Sequence, residues 1–129
     1  MPNPYLQAKV MTATPGELLL MLYDGALRFC RQAAAHLEHG KPDQARRPLG
    51  RTLAIVQELH GMLNPSQAPE LCARLESLYL FSEQRLLEAL ASGEAIPVRE
   101  VEKVLEQLRQ GWVEAVDQVE ARPVERRTG

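Results

Sequence analysis

Residues 14–30, TPGELLLMLYDGALRFC, decide the fold class. Thr14 suits an N-cap, Pro15 lacks an amide hydrogen that a first helical turn does not need, and Glu17 completes a Thr-x-x-Glu capping box. A helix is therefore predicted from Pro15 to about Glu38. Its main apolar stripe is Leu18, Leu22, Gly25, Phe29 and Ala33, widened by Leu19, Ala26, Cys30 and Leu37. Leu20 and Leu27 are left over on another side, with Met21 and Tyr23 between the faces and Glu17, Asp24, Arg28 and Arg31 marking the wet side. Either a helix packed on several sides uses this surplus, or it forms a groove for an apolar peptide or helix.

Three further segments repeat the helical period. Pro42 opens the second, in which Ala45, Leu49, Thr52, Val56, Leu59 and Leu63 recur by fours and threes. Pro48 interrupts it and predicts a kink or a later start, because a proline inside a helix costs about 3 kcal/mol. The third runs from about Gln67 to Leu90, with Leu71, Leu75, Leu78, Ser82, Arg85 and Ala89 on one face and Cys72, Tyr79, Leu86 and Leu90 beside it. Ser92-Gly93 stops it and Ile96-Pro97 restarts the chain. The fourth carries Val101, Leu105, Leu108, Trp112, Ala115 and Val119, and Arg122-Pro123 is expected to lead into a loose tail, residues 121–129. Short connections between such helices favour antiparallel neighbours. The expected fold is all-α: one domain over residues 1–129, an antiparallel up-and-down four-helix bundle with an extended N-terminal arm, residues 1–13.

Bulk composition agrees. A chain of 129 residues has room for one real core, and 5% aromatic content favours aliphatic helix packing. The formal charge of -2 demands neither nucleic acid nor an anionic membrane as partner. The densest basic run, Arg46 to Arg51, is short, is broken by Pro48, and reads as a solvated helix face. Cys30 and Cys72 lack a CxxC companion and fit burial in a reducing compartment. Neither a leader segment nor an 18-residue apolar run is visible, so the expected location is cytoplasmic, without stable membrane insertion.

Catalytic chemistry finds little support. His60 lacks the basic companion and phosphate environment of a phosphotransfer histidine, and Cys30, His36, His39 and Cys72 lack metal-site spacing. No HExxH, phosphate-cradling glycine loop or nucleophile elbow occurs. The expectation is a non-enzyme with no catalytic residue, cofactor or metal.

The segment NPYLQAKVMTAT, residues 3–14, places Tyr5, Leu6, Val10 and Met11 outside a confident helix. They form either a removable cover over apolar pockets or a fixed strap. Asn3-Pro4-Tyr5 followed by TATPGELLLMLYDGALRFCRQA, residues 12–33, resembles the opening of the FliS family, flagellar secretion chaperones for flagellin. LHGMLN, residues 59–64, LESLYLFSEQRLLEAL, residues 75–90, and the Leu105 to Trp112 spacing continue the resemblance in order. Ser82 and Glu83 stand where many relatives look more aromatic or methionine-rich, and Pro48 and Gly50 break a segment expected to be smoothly helical.

The resemblance implies a helical bundle that binds the disordered C-terminal region of flagellin, prevents premature assembly and presents it to the flagellar export apparatus. It implies roles for Tyr5, Leu6, Val10, Thr12 and Pro15 at the arm and turn, and for Leu20, Leu22, Tyr23 and Leu27 on or near the first helix. Tyr5 would cover a pocket in the free form, Thr12 and Pro15 would set the arm's angle, and Leu20 and Leu27 would receive client side chains. The alternative is a non-enzymatic helical adaptor or oligomerising domain.

Overall fold

The computed structural model describes residues 13–128, with side chains through residue 119. The arm residues Tyr5, Leu6, Val10 and Thr12 lie outside the described residues. Four helices follow one another: α1 (Pro15–Glu38), α2 (Pro42–Gly61), α3 (Pro69–Ser92) and α4 (Ile96–Thr128). Among the described residues there is no strand.

Each helix begins at or next to a proline. At α1 the Thr14 side chain accepts from the Glu17 amide at 3.1 Å, the contact expected of the capping residue. At the other end of the chain's turns, Gly93 closes α3 with φ 75°, a left-handed conformation that a side chain would resist. Of the two alternatives at Pro48, a kink or a later start, the backbone removes one. α2 starts at Pro42 and runs through Pro48, so no later start occurs. Proline's fixed φ is itself helical, and the bond lost is one to the carbonyl of exposed Gln44, which water can reach. Likewise α4 does not stop at Arg122-Pro123, where a loose tail was expected from residue 121; its backbone stays helical to Thr128.

The register of side chains across the helices fixes the topology. Arg99 of α4 meets Glu38 of α1 at 2.7 Å, Arg31 meets Glu102 at 2.8 Å, and Arg109 meets Asp24 at 2.6 Å. As α1 numbers fall, α4 numbers rise, so the two run antiparallel. Phe29 lies by Arg51 and Gly25 by Ile55, which sets α2 antiparallel to α1. Neighbouring pairs α1–α2, α2–α3, α3–α4 and α1–α4 make the main contacts, the pattern of an up-and-down bundle. Exposed ion pairs of this kind contribute at most about 1 kcal/mol each, so they select register more than they supply stability.

Stability resides in the apolar centre. Ala26, Cys30, Ala33 and Leu37 of α1 meet Leu49, Val56 and Leu59 of α2, Leu75 and Leu86 of α3, and Val98, Val101 and Leu105 of α4. Alanines on α1 let its neighbours approach closely. The side chains of Thr52 and Ser82 are fully buried, and Thr52 donates to the Pro48 carbonyl at 2.8 Å and Ser82 to the Leu78 carbonyl at 2.9 Å, so neither is left unsatisfied. Across the bundle diagonal the hydroxyls of Tyr23 and Tyr79 lie 2.6 Å apart, and the Trp112 indole donates to the Tyr23 oxygen at 3.1 Å.

Burial raises the pKa of both tyrosines above the ordinary 10.0, and it pushes the Cys30 thiol from 9.0 up to about 12. Each group is therefore neutral in the folded chain at a pH where the unfolded chain ionises. Their contribution is complete below pH 9 and is lost as pH rises through the unfolded values toward the folded ones. Urea unfolding at stepped pH is expected to show stability falling from about pH 9 upward, by up to ~1.4 kcal/mol per unit for each titrating group. A flat profile to pH 11 would contradict the burial of this trio.

Candidate functional site

Among the described residues, two apolar surfaces outside the core bear on function. One is a cleft of about 380 Å³ between the first turns of α1 and the distal half of α4. Pro15, Gly16 and Leu19 form one wall, and Trp112, Val116 and Val119 the other. Gly16 permits the close approach: a Cβ there would lie 2.8 Å from a Val116 methyl. Val119, expected on the buried stripe of α4, is 61% exposed because that stripe runs past the end of the core into the open cleft.

The second surface is on α3. Glu76, Leu80, Glu83 and Leu87 stand in one row at helical spacing, and Leu80 and Leu87 are 44% and 53% exposed. Both glutamates reach His60 of α2, Glu83 at 3.1 Å and Glu76 at 3.4 Å, so the row lies along the α2-facing outer edge of α3. Phe81, beside it, is also exposed, and the Arg85 guanidinium lies 5.9 Å from its ring centre. Single exposed leucines are ordinary, whereas two aligned on one helix edge, with the intervening Glu83 drawn to His60, offer two apolar contact points that one segment of chain can span.

The residues singled out in the sequence fall in different places. Pro15 borders the cleft. Leu20 is half-buried on the side of α1 nearer α4, and Leu22 is partly buried against the core. Tyr23 is fully buried in the hydroxyl pair already described. Leu27 is 4% exposed and belongs to the core, at the α4-side edge of the buried sector that runs from Ala33 through Cys30, Tyr23 and Ala34. Leu27 still contributes to the floor of a wider, more polar cleft that Asp24, Arg28 and Arg31 of α1 form with Glu106 and Arg109 of α4, but a charged side chain at so buried a position would cost the fold itself. Leu20 and Leu27 are not brought together on one exposed strip.

Leu80 and Leu87 were missed by the sequence reading, although a signal existed. They sit off the buried Cys72, Leu75, Tyr79 and Leu86 stripe and repeat at seven residues, the same surplus pattern sought on α1. No group of three or more His, Cys, Asp or Glu side chains capable of holding a metal occurs among the described residues, and no helix among them is long and apolar enough to cross a membrane. The geometry of the described residues offers apolar contact area on two sides of one bundle.

Comparison with known proteins gives the surfaces a context. A family model described as "Flagellar protein FliS" matches residues 1–119. The chain is 37% identical over 117 residues to the flagellar secretion chaperone FliS of Bacillus subtilis, covering 88% of this chain and 86% of that one. It is 30% identical over 108 residues to the flagellar secretion chaperone FliS of Salmonella typhimurium, with 83% and 80% covered. Its fold is similar to that of a bacterial flagellar chaperone crystal structure, with a TM-score of 0.74 at 23% identity over 88% of this chain and 93% of that one. With the family model reaching all four helices of the bundle, the chain belongs to the FliS family of flagellar secretion chaperones.

Proposed function

We propose that this chain binds the disordered C-terminal region of flagellin in the cytoplasm, holds it partly helical against premature assembly, and presents it to the flagellar export apparatus. One observation carries this: a member of this family whose core is complete still keeps the α1–α4 cleft and the Leu80–Leu87 strip open. A disordered client loses roughly 1–2 kcal/mol per residue on ordering, so it needs contact area spread over several places rather than one pocket. Folding on binding commonly buries on the order of 1,000–3,000 Å², which suits surfaces on different sides of a bundle.

In this scheme Pro15 and Leu20 flank the end of the bundle that receives client, and Leu22 supports them from beneath. Tyr5, Leu6 and Val10 of the arm cover the cleft while client is absent, with Thr12 setting the arm's direction beside the cleft's Thr14 rim. Leu80 and Leu87 take apolar side chains of a second client segment. Differential burial and release replace a reaction cycle.

Calorimetry with purified components tests the proposal. The chain is expected to bind full-length flagellin, and removal of the flagellin C-terminal region is expected to abolish the signal. The exposed α3 strip would also suit self-association, so sizing by light scattering belongs in the same experiment. Stable self-assembly without affinity for the tail would overturn the chaperone reading in favour of an oligomerising bundle.

A further inference from the structure

The described arginines divide into two groups. Arg31, Arg85, Arg99 and Arg109 each have a carboxylate partner on another helix. Arg28, Arg46, Arg47 and Arg51 have no carboxylate within ion-pair distance among the described residues, and they gather on α1 and α2; Arg74, also without one, stands apart on α3. Arg28 from α1 and Arg51 from α2 converge on one ring, 4.9 and 5.9 Å from the centre of Phe29. Arg47 sits one turn before Arg51 on the same exposed face.

This arrangement is poised for an anion. An aromatic ring attracts a guanidinium through its charge and satisfies few of its five N–H donors, which leaves donors available for a carboxylate. Two such cations on one ring repel each other, and a carboxylate bridging them would relieve that repulsion while adding charge-assisted hydrogen bonds. Half-buried Phe29 removes water from one side, which strengthens pairing relative to a fully exposed ion pair. The nearest acids along the same face of α2, Asp43 one turn before Arg47 and Glu58 two turns after Arg51, make no ion pair with it.

The chain as a whole carries a charge of -2, so it repels a long polyanion such as RNA, whose affinity depends on many phosphate contacts. A short acidic stretch of polypeptide suits the patch better. Its position suggests which polypeptide. α2 carries the arginines on its α1 side and packs against α3, with its Leu80–Leu87 strip, on the other. Crossing one helix is a distance of about 10 Å, or about three extended residues.

We propose that the Arg28–Phe29–Arg51 face, with Arg47, docks a carboxylate-bearing stretch of the flagellin tail, continuing its path across α2 from the leucine strip. This rests on the client assignment above and adds to it a second, electrostatic kind of contact. Apolar strips fix how much surface is buried, and the arginines select where along the tail burial begins.

The test is calorimetry of tail binding at low and high salt with Arg28→Glu, Arg47→Glu and Arg51→Glu combined, beside the neutral Gln version as a guard against misfolding. At low salt the Glu triple is expected to lose about tenfold or more in affinity, the Gln triple less, and both gaps should narrow at high salt. Neutralising the acidic residues of the tail should cost the unmodified chain a similar factor and cost the Glu triple almost nothing further. Equal affinities and equal salt dependence in all three proteins would overturn the docking face and leave the client assignment standing. Micromolar retention of a single-stranded oligonucleotide that the Glu triple loses would overturn it too, reassigning the patch. A tail that the unmodified chain does not bind at all removes both proposals.

Discussion

Changing Leu80 and Leu87 together to aspartate is expected to weaken binding of a flagellin C-terminal peptide by roughly a hundredfold or more, while far-ultraviolet circular dichroism and the unfolding midpoint stay close to those of the unmodified chain. Both side chains keep about half their surface in water, so each has about 1 kcal/mol of apolar burial still to gain when a client covers it. An aspartate in the same place forfeits that gain and adds the cost of desolvating a charge, typically a few kcal/mol when no partner is supplied. The sum reaches three or four kcal/mol, and every 1.4 kcal/mol is about a factor of ten. The fold tolerates the change because the row faces outward.

The contrast with Leu27 separates a binding surface from a core position. Leu27→Asp would place a carboxylate among Tyr23, Cys30 and Ala34, and its effect is expected first in the unfolding curve. If the Leu80→Asp, Leu87→Asp double variant keeps its affinity, the α3 strip is not a client surface and the cleft on α1 and α4 must carry the binding alone. If it loses helicity, the leucines contribute to the core more than their exposure indicates.

Much of the fold was legible because helix punctuation is local chemistry. Thr14-Pro15, Pro42, Gly93 and Ile96-Pro97 act within a few residues, and the boundaries they mark are the ones observed. The inward direction of α1 was harder. Its sequence is apolar at so many angles that Leu18, Gly25 and Phe29 read as stripe, whereas the buried line runs through Tyr23, Ala26, Leu27, Cys30 and Ala34. Which of two apolar sides turns inward depends on α2 and α4 together, and no window on α1 contains that information. Tyr23 is the instructive case: a tyrosine beside an aspartate reads as half-wet until a second tyrosine, 56 residues away, supplies its partner. The same holds for the arginines of α2, which read as solvated until α1 brings Arg28 to the ring that Arg51 also meets.

Tyr23→Phe should be the more damaging of the two conservative changes available in the core, at about 2–3 kcal/mol, or roughly 10 °C in melting temperature for a chain of this length. The Tyr23 oxygen serves two partners, the Tyr79 hydroxyl at 2.6 Å and the Trp112 indole at 3.1 Å, so its removal leaves a buried hydroxyl and a partly buried indole N–H short of a bond. Tyr79→Phe leaves the indole contact in place and is expected to cost about 1–2 kcal/mol. The double variant should cost less than the sum, since removing both hydroxyls leaves no unmatched hydroxyl behind. Trp112 is the one tryptophan of the chain and also a wall of the apolar cleft, so its emission reports on both. With Tyr23→Phe the indole is expected to turn toward water and its emission to shift to longer wavelength, and client affinity should fall with it; Tyr79→Phe should leave the emission unchanged. Equal stability losses and an unshifted spectrum in both variants would mean that the hydroxyl pair neither braces the α1–α3 diagonal unequally nor holds the cleft wall.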